Sequence, residues 1–383
     1  MLSVIAPRLV WGARDVNDRG PVVPHPAAPE HINVNGRRPY SIWQGLGWLK
    51  GVLARDHRPD HTGTEPVFEI RPGRRSGEIC SFDPFGHMLW PWAEYLKAGV
   101  DVRRTIGLCG ARLNLPEIQA ALATGALQAD GEVLREDGLV NVVEAAIDPV
   151  WHLPSVAKRI GKSYDDLRET LIQATDSAGL RDFPDREVYL PQTGSTYLYL
   201  FGDLTRLGNP NTPITARIHD QCVGSDVFRS DICTCWPFLA HAIEECVRMA
   251  QQGGIGVIAY FLKEGRCHGA VPKFEVYMGR QRQEGGDRKE TYFACTSRVA
   301  GAPDLRFQPV TGPDVFYWLG IDRISRLISM SDDKYAALVG AGIAVEERVE
   351  IPEHLIPNGA GVEITAKKGA GYYTKQPVPN GEH

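Results

Sequence analysis

The sequence predicts an α/β chain, mixed α+β in texture, with a helix-rich N-terminal domain over residues 1–185 and a second domain over residues 186–383. Three observations predict it. A length of 383 residues exceeds what one ordinary core serves, so two domains are expected. Helical spacing dominates from about Leu115 to Thr175. Beyond the turn-rich join RDFPDREVYLPQTG, which starts at Arg181, short strand patterns alternate with helical ones.

The first hundred or so residues are rich in Pro, Gly, Arg and Trp, and VVPHPAAPEHINVNGRRP reads as irregular chain. In DHRPDH, His57 and His61 are four apart, a metal-binding spacing on a helix; Pro59 between them makes an exposed loop the expectation. FEIRPG reads as a short strand at residues 68–73. PEIQAALATGALQ, DGLVNVVEAAIDPVW and SYDDLRETLIQAT carry apolar residues at i, i+3, i+4 and read as helices, with Asp137, Ser155 and Ser163 as N-caps. LPSVAKRIGKSYDDLRETL reads as two helices around a turn at Gly161, with Val156 and Ile160 inside and Tyr164 and Leu167 on the second helix. Its Lys158, Arg159, Lys162 and Arg168 are offset by Asp165, Asp166 and Glu169. No basic face for DNA remains, and an ordinary helical hairpin is expected.

In the second domain STYLYLFGD and ITARIHD read as strands around the loop LTRLGNPNTP. PFLAHAIEECVRMAQQGG reads as a helix closed by glycines, and GIGVIAYFL as an apolar strand. GPDVFYWLGI, DRISRLISM and DDKYAALVGAGIAVEERV continue the alternation.

A net charge of -5, with 43% hydrophobic and 23% charged residues, is globular and argues against a dedicated nucleic-acid or membrane-surface protein. No apolar run approaches the roughly eighteen residues of a membrane span. MLSVIAPRLVWGARD breaks at Pro7 without a long apolar stretch, so the expected location is cytoplasmic.

Eight cysteines in a chain this long do not make a disulfide scaffold. Cys80, Cys109, Cys267 and Cys295 stand singly and read as core or surface residues. RIHDQCVGSDVFRSDICTC is different: ten residues separate Cys222 from Cys233, and one separates Cys233 from Cys235. Thiolates in so tight a loop can share a metal, and zinc suits them. Four protein ligands would make a closed structural site, whereas three leave a position for water. Cys246 falls on the helical stripe Leu239, Ile243, Cys246, Val247, Ala250 and reads as core. His241 lies off that stripe and is expected to face solvent. His219, on the strand before Cys222, stays open as a fourth ligand, and so do a closed site and three unrelated thiols. An open zinc brings the pKa of its water to about 7, which suits attack on a ring carbon or carbonyl. Thiolate ligands weaken that effect, so a nearby general acid/base is needed.

RIHDQC followed at this distance by CTC resembles the zinc signature of the GTP cyclohydrolase II family, an Arg-x-His-Ser-Glu-Cys segment ahead of a Cys-x-Cys. The likeness continues in order. LFGD fits the family's entry to the site, KEGRCHG (Lys263 to Gly269) resembles its Gln-Glu-Gly-Arg-Gly-Ile-Gly loop, and KFEVY ends at Tyr277 as its Lys-Ile-Arg-Ala-Tyr-like segment does. PDLRF supplies Asp304 and Arg306 of an Asp-x-Arg pair, and SMSDDK ends at Lys334 like Thr-Asn-Asn-Pro-x-Lys. The resemblance runs from residue 186 onward and implies a cyclohydrolase II-like zinc domain. It implies Cys222, Cys233 and Cys235 as zinc ligands with water in the fourth position, Tyr277 at the ring being opened, and Asp304 as general base. It also implies substrate contacts from Arg217, Gln221, Glu264, Gly265, Arg266, Ser329 and Lys334. The family role of Arg306 is nucleophile toward the α-phosphate; a guanidinium stays protonated and has no free lone pair, so binding phosphate is the physical assignment. Magnesium on the phosphates and a homodimer follow from the same resemblance.

Asp220-Gln221 replaces the family's Ser-Glu, Met330-Ser331-Asp332 its Asn-Asn-Pro, and Cys267-His268 its Gly-Ile. Ligands kept and recognition altered is the pattern of a changed nucleobase. The long N-terminal half resembles the branch of the family associated with uracil catabolism. The implied substrate is a uridine nucleotide (UTP, UDP or UMP), opened by attack at C4. The alternatives are GTP, with release of formate and pyrophosphate, and a nucleotide-sensing DNA-binding regulator.

Overall fold

The structure is a computed structural model that describes residues 41–54, 70, 73, 75–82, 105–185, 187–189, 191 and 194–375. The irregular stretch at 22–39, His57, His61 and most of the strand expected at 68–73 lie outside these residues. In chain order the elements are α1 (Ser41–Leu49), β1 (Ile106–Leu113), α2 (Pro116–Ala123), β2 (Val140–Ile147), β3 (Trp151–His152), α3 (Leu153–Arg159) and α4 (Tyr164–Thr175). Next come β4 (Val188–Tyr189), β5 (Thr196–Phe201), β6 (Ile214–Asp220), α5 (Cys235–Gln251), β7 (Ile255–Phe261), α6 (Ala270–Arg282) and α7 (Tyr292–Ala300). The last are α8 (Asp314–Leu319), β8 (Arg323–Ile328), α9 (Asp332–Gly340), β9 (Ala344–Val349) and α10 (Gly361–Gly369). Seven strands form one sheet in the order β1-β2-β5-β7-β6-β8-β9, and β3 pairs with β4.

The expected α/β texture is present, with one element reversed. VNVVEAAI, expected as helix, is strand β2. Asp137 does not cap a helix; its Oδ1 accepts from the Leu139 amide at 3.1 Å in a turn where Gly138 takes φ 75°. Valine and isoleucine, stiff at χ1, pack better on a pleated surface, and a short apolar run satisfies both periods. Ser163 does cap α4, accepting from the Asp166 amide at 3.0 Å. Ser155 sits inside α3 and contacts His152 Nδ1 at 2.7 Å instead of capping. Gly161 makes the turn between the two helices at φ 67°, and Val156 is buried as expected. Ile160, expected inside, is 38% exposed because α3 ends one residue before it.

The chain divides into two compact units. One comprises the described residues up to Cys109 with Ala145–Thr196 and Pro313–Gly320. Its tie is Asp314, fully buried, which accepts from the amides of Cys80 (3.0 Å) and Ser81 (2.7 Å) and pairs with Arg159.

The other comprises Gly110–Glu144, Tyr197–Gly312 and the chain from Ile321 onward. In its core Ile118, Leu134, Val140 and Phe201 pack with Ile243, Val247, Ile258 and Ile328. Cys246 is fully buried on the apolar stripe of α5, as expected. The helix approaches β7 closely because Gly256 lacks a side chain; a Cβ there would meet Cys246 Cβ at 2.4 Å. Strand β6 runs parallel to both β7 and β8, so the three end at one edge. Asp220 ends β6, Lys263 follows β7, and Ser329 follows β8. Carboxyl ends of parallel strands are where α/β sheets bind ligands.

Candidate active site

Cys222 follows β6 and opens a single helical turn, Val223–Asp226. The Asp226 carboxylate folds back on that turn. It accepts from the Cys222 amide at 2.9 Å, the Tyr260 hydroxyl at 2.8 Å and His219 Nε2 at 3.1 Å. His219 Nδ1 accepts from Arg217 Nε at 3.0 Å, and its ring stacks on Tyr260 at 5.2 Å. Burial holds the imidazole neutral, and both ring nitrogens are engaged, so His219 is no fourth ligand. His241, expected to face solvent, is half-buried, with Nε2 shielded from water and away from the cysteines.

The Sγ atoms of Cys222, Cys233 and Cys235 lie within 4.8 Å of one another, and together they could hold a metal ion. No other histidine, cysteine or carboxylate among the described residues joins that group. Cys222 and Cys233 sulfurs are 3.5 Å apart, and Cys233 Sγ accepts from the Cys235 amide at 3.3 Å. Hydrogen bonds from the other two thiols hold Cys222 as the thiolate, aided against burial by the Lys273 ammonium at 2.9 Å. Its partner Cys233 is correspondingly pushed up to about 12. The arrangement supplies three soft donors, one already charged and paired with the Lys273 ammonium, and no fourth His, Cys, Asp or Glu ligand joins them among the described residues.

A cationic cluster lies in the same cleft, around Asp220. Its Oδ2 meets Lys334 Nζ at 2.7 Å and Arg306 Nη1 at 3.1 Å. Burial opposes the Asp220 charge, but Lys334, Arg306 and Lys263 hold the carboxyl well below its usual range. Burial brings the Lys334 ammonium down to about 8, with Asp220 pulling it back and Arg306 and Arg217 adding to the fall. Burial likewise lowers Arg217 to about 10; its Nη1 donates to the Ile328 carbonyl at 2.9 Å, and its guanidinium lies over the Phe238 ring. For Arg306 burial is outweighed by Asp220 and Asp304, and the guanidinium is held more firmly charged than usual.

The cleft encloses about 1160 Å³ of solvent-connected space. Of the residues expected from sequence, the three cysteines, Arg217, Gln221 and Tyr277 line it. So do Gly265, Arg266, Arg306, Ser329 and Lys334. Glu264 and Asp304 stand behind the wall. Glu264 Oε1 accepts from Lys273 at 2.9 Å and from the Val223 amide at 3.1 Å. Asp304 receives Arg306 Nε at 3.0 and 2.8 Å on its two oxygens and the Arg306 amide at 2.8 Å. Gly265, Arg266 and Cys267 all take positive φ (61°, 58° and 69°), and the Leu305 amide ties this loop by donating to the Arg266 carbonyl at 3.0 Å. Two of the three are not glycine, a conformation that costs about 1–2 kcal/mol per residue.

Sequence reasoning missed Lys273, although its signal was present: it precedes Tyr277 by four residues, one turn away on the same face of α6. It also missed Glu363 and Lys367, which enter the cleft with Tyr372 from the C-terminal segment. No local pattern marks them.

Comparison with known proteins bears on this geometry. Residues 2–174 match the family described as GTP cyclohydrolase N terminal, and residues 191–350 match GTP cyclohydrolase II. Uracil-regulated protein 1 of Schizosaccharomyces pombe is 41% identical over 96% of this chain and 86% of its own. The chain belongs to the GTP cyclohydrolase II family. A second relative, Putative GTP cyclohydrolase URC1 of Lachancea kluyveri, is 39% identical over 97% of this chain and 85% of its own. Riboflavin biosynthesis protein RibBA of Aquifex aeolicus is 34% identical over a shorter stretch, 36% of this chain and 32% of that protein. The protein is therefore a cyclohydrolase, and the cleft at the sheet edge lies within the matched cyclohydrolase II segment and the tail that follows it. No helix among the described residues is long and apolar enough to cross a membrane.

Proposed function

We propose that this cyclohydrolase uses zinc, held by Cys222, Cys233 and Cys235, to open the base ring of a uridine nucleotide by hydrolysis. The carrying observation is the sulfur cluster and the cationic cluster sharing one cleft, which suits a nucleotide with its ring at the sulfurs and its phosphates at Arg217, Arg306 and Lys334. A tetrahedral zinc with Zn–S of about 2.3 Å spaces its sulfurs about 3.8 Å apart. The observed 3.5 Å contact and 4.8 Å limit bracket that spacing. Zinc at this site supplies Lewis acidity, which lowers the pKa of water within reach.

In this reading water adds at C4, the N3–C4 bond breaks, and N3 leaves carrying a proton. Tyr277, whose phenol is pushed up chiefly by burial, stays a hydrogen-bond donor beside the ring. Asp304, behind the wall and bound by the Arg306 fork, positions that guanidinium for phosphate, and the general-base role implied by the family resemblance is not assigned to it. Arg306, held charged, binds phosphate and does not attack it. Gln221, Gly265, Arg266 and Ser329 complete the nucleotide contacts, and Glu264 braces the Cys222 turn together with Lys273. Magnesium accompanies the phosphates, and the chain works as a homodimer in the cytoplasm. The printed name of the Schizosaccharomyces pombe relative, uracil-regulated, supports a uracil-related function, and the altered recognition residues support a changed base.

GTP is the second reading, favoured by the printed name of the Lachancea kluyveri relative. Zinc-loaded protein incubated with UMP, UDP, UTP and GTP separates the two, with product masses as readout. Gain of one water by a uridine nucleotide is the expected result. Formate and pyrophosphate from GTP, with every uridine nucleotide intact, would reject the uridine assignment.

A further inference from the structure

The sulfur end of the cleft is closed by chain beyond residue 350, where the match to the cyclohydrolase II family stops. Helix α10 and the tail after it bring Glu363, Lys367 and Tyr372 into the lining. Glu363 is 5% exposed. Its Oε2 accepts from the Thr234 amide at 3.3 Å, its Oε1 from the Thr234 hydroxyl at 3.3 Å, and Lys367 pairs with it from one turn on. Thr234 separates Cys233 from Cys235, so this carboxylate borders the thiolate cluster.

Two carboxylates line the cleft among the described residues, Asp220 and Glu363. Asp220 is engaged by Lys334 and Arg306 at the cationic end. Glu363 instead borders the sulfurs through Thr234, where a ring has to lie if it is to open beside them. Glu264, the carboxylate of the family loop, is held behind the wall by Lys273 and the Val223 amide. The base end of the cleft therefore has a single buried carboxylate, with an ammonium next to it.

An intact uracil presents an imide edge: one N–H between two carbonyl oxygens. A carboxylate accepts the N–H, and an adjacent ammonium donates to a carbonyl. The Glu363–Lys367 pair offers that acceptor beside that donor on one helix face. We propose that Glu363 reads the base by accepting the uracil N3–H, with Lys367 on a flanking carbonyl. The assignment rests on the uridine-nucleotide reading above. It makes α10, a segment outside the family match, the specificity-determining wall. A buried site built to accept an N–H rejects a base that lacks it.

Calorimetric binding to metal-free, full-length protein tests this without turnover. The probes are the tightest-binding of UMP, UDP and UTP, its N3-methyl analogue, and GTP. Wild type is expected to bind the methylated nucleotide at least about tenfold more weakly than its parent, the scale of one charge-assisted hydrogen bond. Glu363→Gln keeps the shape and removes the charge. It should weaken the parent about tenfold and leave the methylated nucleotide within about twofold. If wild type binds parent and analogue equally, or if Glu363→Gln weakens both together, Glu363 only braces the Cys233–Cys235 loop and the base-reading role is overturned while the uridine reading stands. If GTP binds and no uridine nucleotide does, the uridine reading itself falls, and the imide assignment with it.

Discussion

Lys334 gives the cleft its pH signature. Its ammonium, lowered to about 8 by burial, loses charge well before an ordinary lysine would. A phosphate needs that charge, so KM for the nucleotide should rise above about pH 8, approaching tenfold per unit until other groups take over. The stability term has the opposite sign. Between about pH 8 and the usual lysine range the unfolded chain holds this proton more tightly than the folded chain, so this group's contribution to stability increases with pH there. Lys334→Arg carries a charge that does not titrate in this range and should flatten the KM profile. A break in KM near pH 8 that persists in Lys334→Arg would show that another group controls phosphate binding.

The packing of α5 on β7 sets where the Cys233–Cys235 loop sits, because Cys235 is the first residue of the helix. The two elements meet at Gly256, where a Cβ would lie 2.4 Å from Cys246 Cβ and 2.8 Å from its Cα. Gly256→Ala should therefore destabilise the protein by about 1–3 kcal/mol in urea unfolding. Cys246→Ala should not rescue it, because the offending Cβ remains. Full rescue would mean that the sulfur, not the backbone approach, limits the contact. Most elements around the site were legible because their patterns are strong. The α5 stripe, the apolar β7 and the polar Ser163 cap each have one physical reading. β2 was misread because a run of Val and Ala satisfies helical and strand periods alike, and only the neighbouring strand decides. Glu363 was invisible for another reason: its meaning comes from Thr234, 129 residues earlier.

At the scale of the whole molecule, sequence order and spatial order part company. Asp314 holds Cys80 and Ser81 from 234 and 233 residues away, a pairing no local pattern reveals. The sulfur trio was legible because its ligands are close in sequence, whereas the cationic cluster joins Asp220, Arg306 and Lys334 from three separate segments. What unites them is the parallel alignment of β6, β7 and β8, which delivers three chain ends to one edge. On this account the chemistry depends on a metal at that edge. The direct test strips the full-length protein of metal and titrates zinc back while following the ultraviolet absorbance of a uridine nucleotide. Loss of absorbance should be absent without zinc, rise in proportion to added zinc, and level off at one ion per chain. Ring opening at full rate by metal-free protein, or a rate unrelated to zinc content, would contradict the account.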